Sequence, residues 1–364
     1  MTTANTKGSL SSNAPSYDSE DFDRQIATAF APIFYQSLGS QSRFDFITNF
    51  DFDGDWRGDN NWTNAADTRF PLLAYIYYSV AETETHYFVT YAVFHPRDYK
   101  GGDRDGIALS EAIEIGIELL GGYDSTGISD QATLAHENDL EGVLVVAEKR
   151  GKGLQDAQVQ YVETLAHNRF LKYTSDKLTT QGFELIKLIG QRPELYIESR
   201  GHGLQSNLAK KRQKQDKKFL IYSYTGKPGD SAKQSNHGKI GYALIPIYST
   251  LWSKALTGEN QTYAVTNDYI KLLTAVRINY SEGTNLKSLW SNSTIKLGLA
   301  FRGSIGGKNR ARAPWGWSDS TERDRPLGEW FFDPAGTIKR HFKLGESFSI
   351  KYTHAATVGI TRKK

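Results

Sequence analysis

The chain has 364 residues, 38% of them hydrophobic and 23% charged, which gives enough length and apolar content for a large core and excludes a fibrous or disordered protein. The 44 Lys and Arg nearly balance the 41 Asp and Glu, for a net charge of +3, which argues against a dedicated nucleic-acid binder. Cysteine is absent, which rules out disulfide frameworks, thiolate zinc sites and cysteine nucleophiles, and no run reaches the ~18 apolar residues of a membrane-spanning helix.

Residues 1–19 are rich in Ser, Asn and Thr and are expected to form a disordered arm. Residues 21–35 place Ile26, Phe30, Ile33 and Phe34 at helical spacing behind an acidic first turn, which predicts a short helix ending near Pro32. Residues 50–64 are acidic and turn-rich. Segments 72–80 and 86–94 are β-branched and aromatic and read as two strands of a hairpin. Residues 107–120 fit a helix or an alternating strand equally. Segment 140–148 reads as a strand buried on both faces, and 158–165, 194–199, 218–224 and 294–302 as further strands. The basic run 210–218 is either a solvated loop or a contact for anionic lipid or phosphate. Residues 242–252 are apolar, and 313–335 form a Trp- and Pro-rich capping segment.

Many short strands with turn signals predict a mainly β chain, an antiparallel β-sandwich with a few peripheral helices. Its core would span 20–225 and carry a candidate metal site, with a C-terminal β-rich extension over 226–364 packed on the same domain.

The chemistry concentrates at His136, Asp139 and Glu141, an H-x-x-D-x-E spacing at the entry to the strand 140–148. In extended backbone Asp139 and Glu141 share a face, and His136 can curl back from the preceding loop. Asp98, after His95-Pro96-Arg97, would lie at the end of the neighbouring strand and complete a set of three carboxylates and one imidazole. Such a set suits Mg²⁺, Mn²⁺ or Ca²⁺ best, with Zn²⁺ also compatible. His202, flanked by Gly201 and Gly203, is expected at the same rim. A second acidic group, Asp51, Asp53 and Asp55, resembles the start of a Ca²⁺ loop. Trp56 stands where an EF-hand needs Gly, so a solvated turn competes with that reading.

At these residues the chain resembles the necrosis-inducing proteins, cytolysins secreted by plant-associated microbes. Their G-H-R-H-D-W-E heptapeptide has the spacing of His136, Asp139 and Glu141, and they carry an Asp after a Pro-Lys pair, to which Pro96-Arg97-Asp98 is similar. The heptapeptide's Gly, second His and Trp are Ala135, Asn138 and Leu140 here, and the family's cysteine pair is absent. The stretches 31–35 and 196–203 look more like a broader set of vacuolar-sorting-associated β-sandwich proteins. The resemblance implies a divalent metal held by Asp98, His136, Asp139 and Glu141 at one end of a β-sandwich.

Three functions stay open at this stage. The first is a secreted, divalent-metal-binding protein acting at a cell surface, cytolysin-like or binding a glycan or lipid headgroup. The second is a metal-dependent hydrolase of a phosphodiester, ester or glycoside, with His202 or His136 as the acid/base. The third is a purely structural metal. No nucleic-acid partner or transmembrane segment is expected. The expected location is extracellular, with a leader absent from this chain, and cytoplasmic as the alternative.

Overall fold

The computed structural model describes residues 17–99, 135–176, 182–207, 218–256, 260–268, 296–305, 311–322, 324–325, 327–358 and 360–362. The segment 107–120 and the basic run up to residue 217 therefore lie outside the described residues, as do the first 16 residues of the expected arm.

The helix α1 (Tyr17–Ala29) stops three residues before Pro32. The expected helix thus ends early, and Ile33 and Phe34 belong instead to strand β1 (Ile33–Ser37). Pro32 has no N–H to continue a helix and biases the residue before it toward extended backbone. The hairpin β2 (Tyr75–Thr83) and β3 (His86–Asp98) follows, then β4 (His136–Glu148), β5 (Gln158–Leu165) and β6 (Phe170–Thr174). Two short strands, β7 (Glu184–Leu185) and β8 (Leu188–Ile189), lead to β9 (Arg192–Ile197), β10 (Leu204–Ser206), β11 (Phe219–Tyr224) and β12 (Lys239–Pro246). A separate pair, β13 (Tyr263–Asp268) and β14 (Lys296–Phe301), precedes β15 (Tyr352–Ala355).

The protein is mainly β, and its principal sheet runs β10-β9-β1-β11-β12-β2-β3-β4-β5-β6-β7, with β15 on β2 and β8 on β9. It is mixed, where an antiparallel sandwich was expected. β1 pairs parallel with β9, β11 with β12, β12 with β2, and β6 with β7. The apolar pattern of a strand reports which faces are buried and carries no mark of its neighbour's direction. β12, from beyond residue 225, lies in the middle of this sheet. The sheet curls, and its β10 end comes back over β5, where the Thr164 hydroxyl donates to the Leu204 carbonyl at 2.7 Å.

β3 and β4 are the long central strands. Their register runs from His86 opposite Glu148 to Asp98 opposite His136. Val143 to Ala147 are wholly buried, as a strand covered on both faces requires. One cover is the segment 313–335, whose Trp317 and Trp330 rings stand over Gly142. Trp317 donates its indole N–H to the Leu140 carbonyl, and Trp330 to the Glu163 carboxylate. Among the described residues no helix is long and apolar enough to cross a membrane.

Candidate functional site

The β3/β4 register puts Asp98 against His136, His95 against Asp139, and Val93 against Glu141. Between the first two pairs the ladder is interrupted. Pro96 has no N–H to give, and Asn138 adopts a left-handed backbone with φ 61°, which Asn tolerates better than most residues. Asn138 is held there by its side chain, which donates to the carbonyls of Gly58 and Arg302, both at 2.8 Å, and accepts from Asn61 at 2.7 Å. This one left-handed residue interrupts the regular extended backbone between His136 and Asp139.

His136 Nδ1 lies 2.8 Å from the Asn138 carbonyl. A carbonyl only accepts, so Nδ1 carries the hydrogen and the neutral ring keeps its lone pair on Nε2. Nε2 is 3.8 Å from Asp98 Oδ2, with side-chain exposures of 11% and 9%. That gap is too long for a hydrogen bond. It is close to the roughly 3–3.5 Å separating adjacent ligands of one Mg²⁺ or Ca²⁺. The donor set therefore fits a hard divalent cation in type, and a histidine fixed by a carbonyl on its far nitrogen is the usual support for a metal ligand. Asp139 and Glu141 are buried on the same strand. Among the described residues, however, no group of three or more His, Asp or Glu side chains is drawn closely enough to enclose an ion.

His202 is fully buried, although a position at the rim was expected. Its Nδ1 is 2.8 Å from Asp139 Oδ2 and its Nε2 is 3.3 Å from Asp45 Oδ1. Both nitrogens thus face carboxylate oxygens, and the ring donates twice. Burial works against its charge, but the bonds to Asp139 and Asp45 outweigh burial and raise its pKa to about 9. Asp139 is held below the usual carboxylate range: burial would raise it, and the His202 bond and charge lower it further. The His95 ring stacks on His202 with centroids 3.8 Å apart and planes 7° from parallel. Gln36 donates its amide N–H to the carbonyls of Ser37 and Glu198, so its Oε1 accepts from His95 Nε2 at 2.9 Å. Burial first, and then the neighbouring His202 charge, keep the His95 pKa well below its ordinary value.

Glu137, between His136 and Asn138, ties the short helix Asn61–Asn64 and the segment at Ser304 to this end of β4. It accepts from the Trp62 amide at 2.5 Å and from the Ser304 hydroxyl at 2.7 Å. Burial pushes its pKa up despite those bonds. Trp62 in turn accepts from Arg97 Nε at 2.7 Å, and the Arg97 guanidinium lies between the rings of Phe44 and Trp62.

The other acidic group satisfies its carboxylates locally. Asp51 accepts from Asn49, Asp53 from Asn64, and Asp55 from the Arg57 amide and Asn60. Of the other five histidines, His86 bonds to Thr85 and Gln160, His167 to Glu198, His341 to Glu163 and His354 to Asp23, and the His237 ring packs on Phe219.

Sequence reasoning missed Asp45, His95 and Tyr99. Asp45 lies in a single 3-10 turn (Ser42–Asp45) with no motif around it. The available signal was a carboxylate in an apolar run, Phe44-Asp45-Phe46-Ile47, since a buried charge needs partners.

No family model matches the chain, and no curated protein matches it. It is similar to the structure of NLPPya in complex with mannosamine, at 15% identity over 54% of this chain and 71% of that one, with a TM-score of 0.28. It is similar to Necrosis and Ethylene inducing Protein 2 from the causal agent of cocoa's Witches Broom disease, at 16% identity over 50% of this chain and 67% of that one, with a TM-score of 0.27. The non-toxic HaNLP3 protein stands at 11% identity, 50% and 68% coverage, and a TM-score of 0.28.

Proposed function

We propose that this chain is a secreted protein that binds at a cell surface through a divalent cation, held where the ends of β3 and β4 meet. Asp98, His136, Asp139 and Glu141 would hold the ion, with Mg²⁺, Mn²⁺ or Ca²⁺ favoured over Zn²⁺ by a donor set dominated by carboxylate oxygen. Bound there, the cation supplies Lewis-acid positions for hydroxyl or phosphate oxygens of a glycan or lipid headgroup. The observation that carries this reading is His136: its Nδ1 is committed to the Asn138 carbonyl, and its Nε2 faces Asp98 across 3.8 Å. The chain's own part is to keep that ring in one tautomer, to hold Asp98 opposite it through the antiparallel register, and to limit water at both side chains.

The hydrolase reading has less support. Both nitrogens of His202 point at carboxylates, which leaves that ring no lone pair to take a proton, and the Nε2 lone pair of His136 is the one this reading gives to the cation.

Titration of the metal-free protein with Mn²⁺, followed by calorimetry and by the Mn²⁺ paramagnetic resonance signal, tests the site. Asp98→Asn and Glu141→Gln are each expected to weaken binding by at least on the order of 10-fold to 100-fold. A flat titration of the wild-type protein, or affinities untouched by both substitutions, would reject it. Dye release from vesicles carrying glycosylated headgroups, lost with chelator and with Asp98→Asn, is the expected cell-surface readout.

A further inference from the structure

We infer that Asp45 is a positioning residue for this site: it fixes the turn 199–203 and the His202 ring so that His202 takes one oxygen of Asp139 and leaves Oδ1 as the single oxygen Asp139 can offer an ion. This deepens the cation reading and rests on it.

Asp45 is fully buried, and four donors converge on its two oxygens. Oδ2 accepts from the Gly39 amide and from the Tyr99 hydroxyl, each at 2.7 Å. Oδ1 accepts from the Arg200 amide at 2.7 Å and from His202 Nε2 at 3.3 Å. The bonds reach three separate stretches of chain. Tyr99 directly follows Asp98, and its amide donates to the Arg200 carbonyl at 3.0 Å, so the end of β3 and the turn 199–203 are tied both directly and through Asp45.

The turn needs such a hold. Arg200 and His202 have left-handed backbones, with φ 73° and 48°, and neither is the Gly that would adopt them freely. Conformations of this kind cost about 1–3 kcal/mol each and persist only where surrounding bonds over-determine them. The two bonds to Asp45 Oδ1 fall on those residues: the Arg200 amide and the His202 ring. With Nε2 held by Asp45 and one face stacked on His95, the His202 ring has one orientation left, which aims Nδ1 at Asp139 Oδ2. Asp139 is thereby preset for one-oxygen coordination before any ion arrives.

The test compares wild-type, Asp45→Asn and Tyr99→Phe proteins. Asp45→Asn is expected to lower Mn²⁺ affinity about 10-fold to 100-fold, the usual scale for outer-shell partners. Tyr99→Phe, which removes one donor and keeps the aromatic body, is expected to weaken binding several-fold in the same direction and covers the case in which Asp45→Asn fails to fold. In the metal-free protein, nitrogen-resolved NMR should show two ring N–H hydrogens on His202 in the wild type, with the Nε2 hydrogen lost to fast exchange in Asp45→Asn. Unchanged Mn²⁺ affinity in both variants, or a His202 ring with only one N–H in the wild type, would overturn the inference. Should the wild-type protein bind no Mn²⁺, the cation reading falls, while the NMR comparison still decides whether Asp45 orients His202.

Discussion

His202→Ala is expected to destabilise the metal-free protein by about 3–5 kcal/mol, the cost of removing one partner from a buried ion pair. Asp45 and Asp139 would be left as buried carboxylates without the ring that now donates to both. The pH dependence gives a second signature. His202 is raised from 6.5 to about 9, against burial and in favour of its bonds to Asp139 and Asp45. A group raised in the folded state contributes its full stability below the unfolded pKa and loses it as pH rises through the folded one. The wild-type protein should therefore lose roughly 3 kcal/mol between neutral pH and pH ~10, a window set by that shift. His202→Ala should lack this alkaline loss. Urea unfolding at both pH values measures it, and a variant within 1 kcal/mol of wild type at neutral pH would refute the account.

The second large effect is expected at Gly142, in the middle of β4. A Cβ there would lie 2.4 and 2.5 Å from Cζ3 and Cη2 of Trp317 and 2.9 Å from Cζ3 of Trp330. Neither indole can give way cheaply, because each is pinned by its own N–H bond, to the Leu140 carbonyl and the Glu163 carboxylate. Gly142→Ala should cost about 1–3 kcal/mol through overpacking and lower the melting temperature by several degrees. Because Glu141 precedes this position, the same variant should weaken Mn²⁺ binding, whereas Gly345→Ala, where a Cβ meets nothing within 4 Å, should leave both unchanged. A Gly142→Ala protein melting with the wild type would show that the tryptophan cover is loose.

The strands were legible where local pattern is enough. The β-branched and aromatic runs of β2, β3 and β4 announce themselves, and β5 spans the same residues as the expected strand 158–165. Boundaries were less so: β4 begins at His136, four residues before the expected start, because its polar opening pairs with the polar end of β3. The glycines of the turn 199–203 drew attention, yet the left-handed positions are Arg200 and His202. Carboxylate bonds from a distant turn hold them there, and no local propensity encodes that.

By itself the sequence determined that the chain is mainly β and that His136, Asp139 and Glu141 lie at the entry to one strand, β4. Both follow from short-range rules: side-chain periodicity and the spacing of residues within one strand. Only the tertiary structure decided that the sheet is mixed and curled, that β12 enters its middle, and that Asp45 and His95 stand against His202. Those outcomes depend on contacts between residues more than 50 positions apart in the chain, such as Asp45 with His202 and His202 with Asp139. Hydrogen-bond partners at that distance are chosen by the closure of the whole sheet.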